Sequence, residues 1–110
     1  MAIRLTLAVP THNRAATLGE TLASLAAQRL PAGIETECIV IDNNSTDRTP
    51  AVVEEVAARA PFAMRRVFEA RAGSSFARNR AVDEAAGDLI LFIDDEIGRA
   101  SCRERVFLSV

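Results

Sequence analysis

Four short polar segments carry the side chains of this sequence that can do chemistry. Asp94-Asp95-Glu96 sets three carboxylates directly after the apolar run Leu89-Ile90-Leu91-Phe92-Ile93. Adjacent ionised carboxylates repel, so a site that gathers them usually offsets the cost with a cation; oxygen donors of this kind suit Mg2+ or Mn2+ held against a diphosphate. The same triplet also reads as an exposed acidic turn capping a following helix. Asp42 ends the run Glu37-Cys38-Ile39-Val40-Ile41. There it either accepts hydrogen bonds from a nucleobase or ribose, or caps the turn Asn43-Asn44-Ser45-Thr46-Asp47. Asp47 itself fits a turn or a cap. Gly73, Arg78 and Asn79 mark a strand-to-helix turn, whose N–H groups and guanidinium can meet phosphate or sugar oxygens. Their alternative is a surface arginine on an amphipathic helix. The fourth segment, Pro10-Thr11-His12-Asn13-Arg14, holds the single histidine, which as a lone imidazole in a turn is assigned no chemistry.

The periodicity between these segments alternates strand and helix. Ile3 to Val9 reads as a strand stopped by Pro10, and Leu18, Leu22 and Leu25 form the stripe of a helix reaching about Gln28. A second strand covers Glu37 to Ile41. Thr49-Pro50 opens a second helix, with Thr49 as N-cap and an apolar face of Val52, Val53, Val56, Ala57 and Ala60. Met64 to Phe68 is a weaker third strand. A third helix is expected from about Ser75 to Ala86, with Phe76, Val82 and Ala85 inward and Gly87 as its stop. Leu89 to Ile93 is the fourth strand. The order β-α-β-α-β-α-β implies a Rossmann-like, doubly wound, mainly parallel α/β sheet. In such sheets ligands bind outside the carboxyl ends of the strands, and each polar segment follows one.

Composition narrows the classes. Hydrophobic residues at 49% and charged residues at 25% are a globular balance, and a net charge of -2 gives no reason to expect nucleic acid as partner. All 13 basic residues are arginine. There is no Gly-x-Gly-x-x-Gly, Walker A, zinc cluster or Gly-x-Ser-x-Gly elbow. No apolar run approaches the roughly 20 residues of a membrane span, and the first residues lack a signal peptide's pattern. Cys38 reads as a small buried hydrophobe, so a cytoplasmic, reducing setting is expected.

Taken in order, the segments resemble the N-terminal half of a family 2 glycosyltransferase, an inverting enzyme of the GT-A fold. The likeness rests on Val9 to Arg14 with the three leucines, Ile39 to Asp47, Gly73 to Ala81, and Gly87 to Asp95. It implies a nucleotide-diphosphosugar donor, most often UDP-linked, and a divalent metal, Mg2+ or Mn2+. By position, Pro10, Thr11, Asn13 and Arg14 would line the nucleotide pocket, Asp42 would bind the base, and Arg78 and Asn79 would shape the donor site. Asp94, Asp95 and Glu96 stand where the family has its DxD metal motif, from which Glu96 departs. The acceptor (a glycan, lipid or small molecule) is not specified. The general base of an inverting reaction belongs to the family's C-terminal half, so no catalytic base is assigned and the 110 residues are expected to be inactive alone. The full-length protein could sit at the cytoplasmic membrane face.

Residues 1–96 are thus taken as a truncated donor-binding part and 97–110 as a non-native tail. Ile97-Gly98-Arg99-Ala100-Ser101-Cys102-Arg103-Glu104-Arg105-Val106 resembles a translated sequencing adapter, which would make Glu96 a hybrid codon whose first base, G, also begins the codons of aspartate. Two readings from other classes stand beside the enzyme: a non-catalytic α/β fragment, and a Mg-binding receiver-like signalling module. The absence of lysine weighs against the second.

Overall fold

A computed structural model describes residues 3–27 and 33–93, and the backbone of 106–109. The elements are β1 (Ile3–Thr11), α1 (Ala15–Ala26), β2 (Ile34–Asp42), α2 (Thr49–Ala57), β3 (Ala63–Phe68), α3 (Ser74–Glu84), β4 (Leu89–Ile93) and β5 (Val106–Ser109). They form one sheet in the order β3-β2-β1-β4-β5. The first four strands are mutually parallel and β5 runs antiparallel to β4. This is the doubly wound α/β architecture expected from the alternation of periods.

The winding reverses beside β1. The chain steps outward from β1 to β2 to β3, then returns across the sheet to place β4 on the other flank of β1. With crossovers of one hand, reversing direction puts the later helix on the opposite face. Two cores follow. Leu18, Leu22 and Leu25 of α1 and Val53 and Val56 of α2 pack on Leu5, Leu7, Val9, Cys38, Val40 and Ile93. On the other face Ala77 and Ala81 of α3 pack on Ala8, Ile39, Ile41, Val67, Ile90 and Phe92. Cys38 through Ile41 are fully buried, as a strand covered on both faces requires.

Three local expectations need correction. Pro10 does not stop β1, which continues to Thr11. In a parallel strand alternate residues turn their polar groups to opposite flanks. Thr11 O accepts from Asn43 N on the β2 side, so Pro10 turns toward the β4 side. There, among the described residues, the β1–β4 ladder ends at Ala8–Phe92, and the missing N–H costs no ladder bond within them. The third helix buries Ala77 and Ala81, whereas Phe76 and Val82 are 38% and 52% exposed. Small residues four apart let α3 lie close on the sheet, and the bulkier side chains turn out. Gly87 does not end a helix through a left-handed turn, since α3 ends at Glu84; its role is spatial. It passes so close to β1 that a Cβ would stand 2.8 Å from Thr6 N and 2.9 Å from Arg4 O.

The backbone of Val106–Ser109 pairs with β4 although the sequence reading set 97–110 apart. An open strand edge offers N–H and C=O groups to any extended segment, which accounts for the pairing without assigning the tail a native role. Among the described residues no helix is long and apolar enough to cross a membrane.

Candidate nucleotide site at the carboxyl edge

The loops after β1 and β2 are stitched together. Asn13 and Asn44 adopt left-handed backbone, with φ of 50° and 60°, which asparagine tolerates better than most residues. Asn13 N donates to Ser45 Oγ at 2.9 Å, and Asn13 Oδ1 accepts from Thr46 N at 2.8 Å. His12 Nδ1 lies 2.6 Å from Asn43 O; a carbonyl only accepts, so Nδ1 carries the proton. The imidazole is a tie between loops.

Asp47 joins two helix starts. Its Oδ2 accepts from Ala15 N at 3.1 Å, and its Oδ1 accepts from Thr49 N at 3.0 Å and Thr49 Oγ1 at 2.6 Å. The helix start at Thr49 is therefore capped by Asp47, two residues earlier than the hydroxyl expected to do it. Desolvation opposes ionisation of Asp47, but the hydrogen bonds from Thr49 and Ala15 outweigh it and lower its pKa.

Asn43 is the centre of the rim and was missed by sequence reasoning. Its N–H reaches Thr11 O at 2.8 Å, its Nδ2 donates to Arg71 O at 2.7 Å and Glu69 O at 3.3 Å, and its Oδ1 accepts from Gly73 N at 3.0 Å. One buried amide thus fixes the β3–α3 loop against β1 and β2. Gly73, at φ 132°, begins α3 in a conformation that side chains disfavour, and its N–H is already engaged instead of facing a ligand.

Glu69 anchors the same loop. Its carboxylate takes Arg71 Nε and Arg71 N at 2.9 Å each, and Arg80 Nη1 stands 3.6 Å away. Those Arg71 hydrogen bonds pull its pKa down to about 2. Stability from such a lowered carboxylate is present above its ordinary value of 4.5 and disappears as pH falls toward 2. Urea titrations followed by circular dichroism should show stability falling steeply between those pH values, with Asp47 adding to the same slope. Glu69→Gln should flatten that slope; an unchanged pH profile would remove Glu69 as its source.

Asp42 sits at the end of β2, 1% exposed, with both oxygens engaged: Oδ1 accepts from Ser45 N at 2.9 Å and Oδ2 meets Arg66 Nη1 at 2.8 Å. Arg66 is a partner the sequence reading did not name. A buried carboxylate demands a cation or donors, and the arginine pair on β3 was the available signal. Thr11 is buried beside Asp42 as its ladder partner, while Asn13 and Arg14 are exposed at the start of α1. Pro10 precedes them at the strand end. Arg78 lays its guanidinium 4.6 Å from the centre of the Phe92 ring, two residues before Asp94, and Asn79 is exposed beside it. Asp94, Asp95 and Glu96 lie outside the described residues. Among the described residues no cluster of three metal-ligating side chains occurs.

The structure therefore brings Pro10, Thr11, Asn13, Arg14, Asp42 and Arg78 to one edge, with Thr11 and Asp42 on the α1/α2 face and Arg78 on the α3 face. Between them lies the β1/β4 reversal, the place where doubly wound sheets open a crevice. A cavity of about 110 Å³ bordered by Arg4, Glu37 and Gly87 lies at the opposite, amino edge and is no part of this arrangement.

The chain is 34% identical over 94 residues to the succinoglycan biosynthesis protein ExoM of Rhizobium meliloti, covering 86% of this chain and 30% of that protein. It is 32% identical over 94 residues to the poly(ribitol-phosphate) beta-N-acetylglucosaminyltransferase TarS of Staphylococcus aureus, covering 86% of this chain and 16% of that one. Among solved structures, TarS superposes with a TM-score of 0.74 at 31% identity over 86% of this chain and 28% of its own. The mannosyltransferase PcManGT from Pyrobaculum calidifontis, solved with GDP-Man and Mn2+, gives 0.75 at 33% identity over 87% and 28%. The chain thus spans a third or less of the length of these relatives. Residues 6–96, from the middle of β1 through the acidic triplet, match the family described as glycosyl transferase family 2, and the chain belongs to that family.

Proposed function

We propose that these residues bind the nucleoside diphosphate portion of a sugar donor, UDP-linked, for an inverting, metal-dependent transfer to a hydroxyl acceptor. The observation that carries this is the stitched carboxyl edge beside the β1/β4 reversal, where Thr11 ends β1, Asp42 ends β2, Asn13 ties the two following loops and Arg78 of α3 lies on Phe92 of β4. Relatives support the donor class: TarS has been solved with UDP-GlcNAc and PcManGT with GDP-Man and Mn2+.

The donor set fits a hard divalent ion. Asp94, Asp95 and Glu96 offer only carboxylate oxygens, the ligands Mg2+ and Mn2+ prefer, and they follow the strand whose Phe92 carries the Arg78 guanidinium. Bound there, the ion would neutralise charge on the diphosphate leaving group. Arg78 adds a fixed positive charge at the same strand end, the loops of β1 and β2 hold the nucleoside, and the acceptor is deprotonated by a base outside these segments. The protein is proposed to act in the cytoplasm.

Thermal melts test this reading. With no Trp or Tyr, unfolding is followed by far-UV circular dichroism. A ligand at 100 times its Kd adds about 2.7 kcal/mol, which for a chain of this size raises Tm by roughly 10 °C or more. UDP with Mn2+ should produce that rise, and Asp94→Ala should remove the part that depends on Mn2+. The absence of any shift with UDP, UDP-GlcNAc or GDP-mannose would reject donor binding.

A further inference from the structure

One aromatic ring at the rim is left without a role by the donor reading. Phe68, the last residue of β3, is 44% exposed although its ladder partner is the buried Asp42. Ladder partners share a face, and so does Arg66, two residues before Phe68. The Arg66 guanidinium carbon lies 5.9 Å from the centre of the Phe68 ring while Nη1 holds Asp42 Oδ2. Asp42 is closed to solvent and engaged on both oxygens, whereas the Arg66 side chain is 34% exposed. What this end of β2 offers a ligand is therefore a guanidinium held by a buried anion beside an open ring. Phe76, the other exposed phenylalanine of the rim, is covered more closely, with the Arg71 guanidinium 4.6 Å from its ring centre.

A flat heterocycle bearing ring carbonyls complements that pair: its face stacks on Phe68 and a carbonyl accepts from Arg66. Resting on the donor reading above, we propose that Phe68 and Arg66 form the nucleobase-binding surface of the site. Asp42 is then a positioning residue, acting on the base through Arg66.

Calorimetry on the 110-residue chain with Mn2+, using UDP and inorganic pyrophosphate as separate probes, tests this. Phe68→Ala should weaken UDP about tenfold, in line with the worth of one stacked base, and leave pyrophosphate unchanged. Phe68→Leu, which keeps apolar bulk without a flat ring, should behave the same, guarding against an alanine variant that fails to fold; Phe68→Tyr should restore UDP binding. In NMR spectra the uracil H5 and H6 resonances should move upfield with the parent chain and not with Phe68→Leu. UDP affinity within twofold of the parent in Phe68→Leu overturns the base surface while leaving donor binding intact. A parent chain that binds pyrophosphate and UDP equally also overturns it, and one that binds neither overturns both readings.

Discussion

Gly87→Ala is expected to cost about 3 kcal/mol and lower Tm by more than 10 °C, measured by urea and thermal unfolding. A Cβ at position 87 would stand 2.6 Å from Thr6 Oγ1, 2.8 Å from Thr6 N and 2.9 Å from Arg4 O. Two of those atoms are backbone of the central strand, which cannot swing away as a side-chain tip can. Moving residue 87 also breaks the bonds around it. Gly87 N donates to Thr6 Oγ1 at 3.0 Å, and Thr6 Oγ1 donates to Glu37 Oε2 at 2.7 Å. Ala86 N reaches that same Glu37 oxygen at 2.8 Å, and Asp88 N reaches Arg4 O at 2.7 Å. Gly19→Ala is the control. Its Cβ would meet Val52 Cγ1 at 3.6 Å, an ordinary contact, and a helix interior favours alanine by up to about 1 kcal/mol. Equal stability of the two variants would show that β1 can yield at Thr6.

Asn43→Ala should be nearly as damaging to stability and worse for ligand binding. It removes the acceptor of Gly73 N and the donor to Arg71 O and Glu69 O in a residue 7% exposed. Water can reach some of these groups once the amide is gone, so the sum is about 3 kcal/mol instead of three full penalties. The loop from Glu69 to Gly73 then loses its tie to β2. Hydrogen exchange should report this locally, with Gly73 and the first turn of α3 losing protection before the strands. Loss confined to the strands, with Gly73 still protected, would show that Glu69 and Arg71 hold the loop unaided.

Strands and the first helix were readable because their periods are strong. Leu18, Leu22 and Leu25 are the buried residues of α1, and Leu89–Ile93 is the fourth strand as expected. The buried face of the third helix was read correctly at Ala85, which packs against that core, and wrongly at Phe76 and Val82, because alanine carries little hydrophobic signal while those two carry much. What decided the packing was the short distance to the sheet, a tertiary quantity that no window of sequence contains. The rim was legible in kind and not in wiring. Asp42 and Thr11 could be named because they end strands, and Asn13 because it lies in the turn that follows one. Asn43 looked like one more turn residue, and its five connections reach segments up to 32 residues away. Arg66 was hidden in a strand whose apolar pattern is weak, since its place is set by the carboxylate it neutralises across the ladder.

Placing β1 between β2 and β4 has a consequence for the nascent chain. The strand made first gains one neighbour after some thirty residues and the other only when residues 89–93 have been synthesised. Until then a flank of a strand buried from Leu5 to Val9 in the folded chain stands open to any passing extended segment, the condition that favours holdase chaperones and mispairing. The Gly87 turn is what finally seats that second neighbour, so a defect there should surface as poor yield in the cell before it surfaces as weak ligand binding in a purified sample.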